Sequence, residues 1–221
     1  MFRPKITAGL LAAVGVTVFA PGHAVAQSLL GPYVAVGGGL DSMPDRNLQI
    51  VGREVSSQWK NGKGAILALG YRFSPHVRAE VELSGRDAKV TTFNKTAPWA
   101  GKQWDNSVMA NVFYDVDLGG PIKPYVGAGL GGSWVIWGDN FRVPTQATPT
   151  IYDDEGIRPA WQGIVGVSYD VSPKLTLALD GRLKGSFGDY KFAGSVAGRD
   201  ITHFNQRTRS LFVSARYSFG H

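Results

Sequence analysis

The sequence predicts an all-β fold: a closed, antiparallel, eight-stranded transmembrane β-barrel behind an N-terminal signal peptide. Three observations carry that expectation. Eight segments alternate apolar and polar residues with period two, their connections alternate between short and long, and the aromatic residues of the apolar face gather at its two ends. A chain of 221 residues with 29 glycines and 18 % charged residues also suits β structure better than helix.

The first residues read as an export signal. Arg3 and Lys5 precede an apolar or small stretch from Ile6 to Ala20, and Ala24-Val25-Ala26 then offers a small-residue cleavage site before Gln27. That stretch is shorter than the ~20 residues of a spanning helix, and Pro21-Gly22 follow it directly, so a membrane anchor fits less well. We therefore expect residues 1–26 to be a signal peptide and residues 27–221 one barrel domain. Removing Arg3 and Lys5 with no acidic residue lowers the formal charge from +6 to +4. So mild an excess, on an exported chain, gives no case for nucleic-acid binding. With no cysteine in the sequence, thiol catalysis, disulfides and cysteine metal sites are excluded.

The alternating segments, in order, are Pro32 to Leu40, Gly64 to Phe73, Val77 to Gly85, Ser107 to Leu118, Lys123 to Trp137, Pro159 to Val171, Leu175 to Leu183 and Arg209 to Phe219. Most are close to the ~9–11 residues that a tilted strand needs to cross a bilayer. Segments two and three are joined by Ser74-Pro75-His76, four and five by Gly119-Gly120-Pro121-Ile122, and six and seven by Ser172-Pro173-Lys174. These are tight Pro and Gly turns. The other four connections, Asp41–Lys63, Arg86–Asn106, Gly138–Arg158 and Lys184–Thr208, are expected to be long loops. Short and long connections in alternation round an even number of strands are the pattern of a bacterial outer-membrane barrel.

Within the strands, one face is free of charge, as in Val77, Ala79, Val81 and Leu83. Its aromatics sort to the ends: Tyr71, Phe73, Tyr114, Tyr169, Tyr217 and Phe219 beside the short turns, Trp134 and Trp161 toward the long loops. Such sorting is that of interfacial girdles, and a dry sandwich core has no reason for it. The apolar face is thus expected to meet lipid. The opposite face carries Arg72, Arg78, Arg182 and Arg216 against Glu80, Glu82, Asp115 and Asp180. Asp117 falls on the same face. Nearly balanced charges inside a narrow barrel are expected to form an ion-pair network that plugs it. The same residues leave a narrow polar channel or porin as the alternative.

Nothing in the pattern builds a catalytic site. Glu80 and Glu82 lie among arginines, so they read as ion-pair partners rather than an acid/base couple. Gly127 to Gly132 spells G-x-G-x-x-G inside a strand with no helix behind it, so its glycines are expected to make room for bulky neighbours rather than hold a dinucleotide. His23, His76, His203 and His221 share no metal-ligand spacing, and His203 with Ser195 or Ser210 is too little for an outer-membrane enzyme acting on lipid. We expect no enzyme activity, no metal and no cofactor. The remaining aromatics and charges, Trp59, Trp99, Trp104, Asp153 to Glu155 and the segment from Tyr190, fall in the long loops as candidate contacts to other molecules.

The stretches "GYRFSPHVRAEVELS", "ANVFYDVDLGGPIKPYVGAGLGGSW" and "AWQGIVGVSYDVSPKLTLALDGRL" resemble the small eight-stranded outer-membrane barrels of the OmpA membrane-domain, opacity-protein and OmpW superfamily. They are most similar to the outer-membrane β-barrel surface antigens of α-proteobacteria. The resemblance implies a structural or surface role as envelope protein, surface antigen or adhesin. Implied partners are outer-membrane lipids including lipopolysaccharide, the barrel-assembly machinery through the C-terminal strand, and a host or surface ligand through the loops. One departure is that Gly220-His221 follow Phe219, where such chains end on an aromatic residue.

Overall fold

The computed structural model describes residues 29–44, 46–50, 53–93, 97–138, 141–143, 150–152, 155–191 and 206–220. The expected signal peptide lies outside the described residues, as do Asp153, Asp154, Ser195 and His203. The strands are β1 Gly31–Ser42, β2 Arg46–Ile50, β3 Arg53–Arg72, β4 Val77–Phe93, β5 Ala97–Asp115, β6 Ile122–Gly138, β7 Phe141–Val143, β8 Thr150–Tyr152, β9 Glu155–Asp170, β10 Leu175–Ser186 and β11 Arg207–Ser218.

Eight of these form the wall in the order β1-β11-β10-β9-β6-β5-β4-β3, and β1 also pairs with β3. Every wall strand therefore has an antiparallel neighbour on both sides, and the barrel has no free edge. Following cross-strand partners from Trp134 through Asn106, Gly85, Ala65, Gly38, Val213, Leu179 and Val167 comes back to β6 at Pro124, ten residues short of the start. That stagger tilts the strands, and eight tilted strands enclose a space just wide enough for side chains to fill. The short β2 folds back onto the start of β3, and β7 pairs with β8 apart from the wall.

The tight turns use local chemistry. Ser74 Oγ accepts from the amides of Val77 at 3.0 Å and His76 at 3.3 Å, and Ser172 Oγ does the same for Leu175 at 3.0 Å and Lys174 at 3.3 Å. Both precede a proline that presets the turn. In the third turn Gly119 has φ +74°, which suits glycine, and its amide donates to Asp117 Oδ1 at 2.9 Å. Asp117 is therefore an exposed turn residue and not the inward strand residue expected, because β5 ends at Asp115.

Two of the connections expected to be long loops, Asp41–Lys63 and Arg86–Asn106, are largely strand. β3 runs 20 residues, β5 19, and β4 and β6 17 each. The reason is physical. Beyond the apolar band the outward face no longer meets lipid, so the apolar/polar contrast that marks a strand in sequence disappears while backbone pairing continues. Trp59 consequently lies in β3, and Trp99 and Trp104 lie in β5, rather than in loops. The side chains of Trp59 and Trp99 are outside the described residues; that of Trp104 is half-buried, with Lys102 Nζ 4.6 Å from its ring.

Outward and inward faces follow the alternation. Val36, Leu69, Val81, Val112, Val165 and Val213 are exposed on the outside, whereas Ile66, Met109, Phe113, Ile164 and Phe212 are buried within. Gly220 is buried at the Leu30 carbonyl, and the Phe219 amide donates to Pro32 O at 2.9 Å, so the residue after the last aromatic is docked on the first strand.

Candidate functional site

The site is the barrel interior. Among the described residues fourteen charged side chains are buried: Arg72, Arg78, Arg86, Lys123, Arg182, Lys184 and Arg216 against Asp41, Glu80, Glu82, Asp105, Asp115, Asp170 and Asp180. Seven cations face seven carboxylates, so the buried charge is balanced, as a closed interior of low dielectric demands. They are arranged in three storeys.

The storey beside the short turns centres on Asp115. Arg72 Nη1 stands 2.8 Å from its Oδ2, and Arg78 Nε 3.2 Å from its Oδ1. Arg78 also lies 3.6 Å from Glu80, which accepts from the Tyr33 hydroxyl at 2.9 Å. Next to this cluster Lys123 pairs with Asp170 at 2.8 Å, and Thr176 donates to the same carboxylate at 2.6 Å. The Arg78 guanidinium is stacked 3.7 Å above the Phe113 ring. Cation and ring thereby share one desolvated layer.

The middle storey centres on Glu82 and Arg182. Arg182 is bound to both Glu82 and Asp180, and Tyr125 donates to Asp180 at 2.8 Å. Asn111 and Gln162 extend the network, with Gln162 Nε2 donating to Asn111 Oδ1 at 2.7 Å and Asn111 Nδ2 to Glu82 at 3.3 Å. Glycines on the wall make this packing possible. A Cβ on Gly127 would sit 2.5 Å from the Phe113 ring, and one on Gly70 would sit 2.2 Å from Tyr33. The expectation that glycines of the fifth segment make room for bulky neighbours matches this geometry.

The storey at the outer mouth holds Arg86 with Asp41 at 3.2 Å and Lys184 with Asp105 at 2.6 Å. Asp105 further accepts from Ser133 at 2.7 Å and Gln206 at 3.2 Å, and Asp41 from Ser210. Above them the chain leaving β10 bends inward. Gly188 has φ +81°, Arg158 Nε donates to Asp189 O at 2.8 Å, and the Tyr190 hydroxyl donates to Ser133 O at 3.0 Å. Tyr190 is 0 % exposed, and burial pushes its phenol up to about 12. This corrects its assignment as an exposed loop contact: an aromatic residue just past a strand reads as a loop residue, yet the bend at Gly188 folds it into the mouth.

Of the expected network, Arg72, Arg78, Glu80, Glu82, Asp115, Asp180 and Arg182 are brought together, and Arg216 is not. Arg216 is buried, but its Nε and Nη1 have no hydrogen-bond partner and its guanidinium lies 5.3 Å from the Tyr33 ring. Asp115, at the centre of that storey, is already held by two arginines. Missed by sequence reasoning were Asp41, Arg86, Asp105 and Lys184. Each lies within two residues of the end of a presumed loop, where the apolar contrast had faded; continuing the period two further would have placed all four inward. Tyr33 and Lys123, at the starts of their segments, were missed as well.

The expected girdle residues Tyr71, Phe73, Tyr114, Tyr169, Tyr217 and Phe219 are exposed on the outer surface near the short turns. Tyr71 stands 5.0 Å from Phe73, and Tyr217 5.2 Å from Phe219. Trp134 and Trp161 lie outward and half-buried toward the other end, Trp161 across Gly185. Among the described residues no group of three or more His, Asp or Glu is placed to hold a metal.

Comparison with known proteins agrees with this geometry. The chain is 28 % identical to an outer membrane protein of Gluconacetobacter diazotrophicus over 90 % of its own length and 60 % of that protein's. It is 31 % identical to major surface antigen 4 of Anaplasma marginale over 58 % of its length and 46 % of the antigen's. The chain thus spans about half to three fifths of these relatives. Neisserial surface protein A shares the fold with a TM-score of 0.55 at 21 % identity, covering 86 % of this chain and 97 % of that one. OprG, the outer membrane protein of Pseudomonas aeruginosa, does so with a TM-score of 0.59 at 12 % identity, covering 90 % and 100 %. The family model described as outer membrane protein beta-barrel domain matches residues 7–219, and the chain belongs to that family.

Proposed function

We propose that this outer-membrane barrel is a structural and surface-display protein with a sealed interior, not a porin or an enzyme. The observation that carries the reading is the charge-balanced column of seven cations and seven carboxylates, stacked in three storeys and capped by Tyr190. An ion entering such a column has to break buried pairs that cost several kcal/mol each to separate. The strand extensions beyond the apolar band are then free to meet other molecules as antigen or adhesin surface, and the relative named as a surface antigen supports that use. Partners on this reading are outer-membrane lipids including lipopolysaccharide, a host or surface ligand, and the assembly machinery that reads β11 with Tyr217 and Phe219.

Planar-bilayer recording of the refolded protein tests the seal. The expected trace shows little or no conductance. Large, stable, ion-selective steps would replace this reading by that of a small channel.

A further inference from the structure

The outer wall is uneven at β1. Its outward residues run Val34, Val36, Gly38 and Leu40, so the strand lacks a side chain where its neighbours carry them. Gly38 is flanked by Ala65 on β3 and Val213 on β11. A Cβ placed on Gly38 would meet only the Gly64 carbonyl oxygen, at 3.9 Å, so the space above it is open. The result is a groove of about 430 Å³ walled by Leu40, Leu211 and Val213, with Lys63 at its outer end. A second groove of about 290 Å³ shares Leu40 and Leu211, has Asp41 and Ser210 in its lining, and continues outward to Ser42, Asn61 and Arg209.

Polarity along this path is ordered. Lys63 is the cross-strand partner of Leu40, and Arg209 that of Ser42. Two exposed cations therefore stand on the strands flanking β1, immediately beyond the apolar part, roughly 10 Å apart across it and offset by two residues along it. Nearby carboxylates are occupied. Asp87 accepts from the Lys63 backbone amide at 2.9 Å and lies 3.7 Å from Lys102, while Asp41 is turned inward onto Arg86. The matching stretch of β9 carries Ile157, Pro159 and Trp161 outward, with no cation among them.

We propose that this groove binds one lipid with a negatively charged phosphate headgroup. An acyl chain lies over Gly38 between Leu40, Leu211 and Val213, and the phosphate is held between Lys63 and Arg209 with Ser42 and Asn61 as hydrogen-bond donors. The order of the groove selects this occupant. A neutral lipid leaves both cations unmatched, and soluble phosphate leaves the apolar half unfilled. The site rests on the reading that the barrel spans a membrane. A boiling-dependent gel shift of each variant reports that reading separately.

Native mass spectrometry of the refolded barrel with dimyristoyl phosphatidic acid, dimyristoyl phosphatidylcholine or inorganic phosphate tests the proposal. Wild type should retain one phosphatidic acid in preference to phosphatidylcholine. Lys63→Glu with Arg209→Glu should weaken that retention by about tenfold or more while keeping the gel shift. Gly38→Leu, which fills open space, should do the same by excluding the acyl chain. Equal retention of the two lipids by wild type, unchanged retention by the double variant, or binding of inorganic phosphate unaffected by Gly38→Leu would each overturn it.

Discussion

Glu82 shows what a single buried side chain does in this barrel. It is 0 % exposed, bound to Arg182, and accepts from Asn111 at 3.3 Å and from Gln162 at 3.5 Å. Removing the carboxylate leaves the buried Arg182 guanidinium with Asp180 alone and takes one acceptor each from the Asn111 and Gln162 amides. Glu82→Ala should therefore cost about 3–5 kcal/mol, read as a lower urea midpoint for the barrel in detergent micelles. Glu82→Gln, which keeps the shape and one acceptor, should cost less. An unchanged midpoint for Glu82→Ala would mean that the carboxylate is hydrated rather than paired.

Strands here are longer than the apolar band they carry, and the extension of β3 onto β4 depends on one residue. Register shifts between Lys60 and Lys63, and Gly62 sits at that irregularity. A Cβ on Gly62 would lie 1.6 Å from the Asp87 carbonyl oxygen, a contact no side chain survives. Gly62→Ala should therefore break pairing beyond Lys63 while leaving the wall below it closed. Hydrogen exchange checks this. Amides of residues 53–61 should exchange faster in the variant, and those of 64–72 should keep their protection. Unaltered exchange on both sides would show that the extension does not hinge on the bulge.

Because β1 pairs with both β11 and β3, the wall has no end from which to unravel, and unfolding has to disrupt hydrogen bonds all round the ring. The refolded protein should be β-rich in detergent and should migrate differently on a gel before and after boiling. A helical spectrum, or full solubility without detergent, would contradict a barrel whose outside is lined by exposed Val36, Leu69, Val81, Val112 and Val213.

The wall was legible in the amino-acid sequence. Period-two alternation within the apolar band assigned the faces of Val77 to Leu83 and of Arg72, Arg78, Glu80, Glu82, Asp115, Asp180 and Arg182, because lipid and a closed interior impose opposite demands on successive residues. The three tight turns were legible as well, since Ser-Pro and Gly-Gly-Pro act through bonds a few residues long. The rest came from the packing of the closed barrel. It carried the strands past the apolar band that marks them in sequence, and so turned Asp41, Arg86, Asp105 and Lys184 into the outer storey. It folded Tyr190 into the mouth through a bend at Gly188. It also left Arg216 against Tyr33 instead of a carboxylate. Which inward cation meets which inward anion depends on the ten-residue stagger of the closed ring, a property of all eight strands together that no single segment encodes.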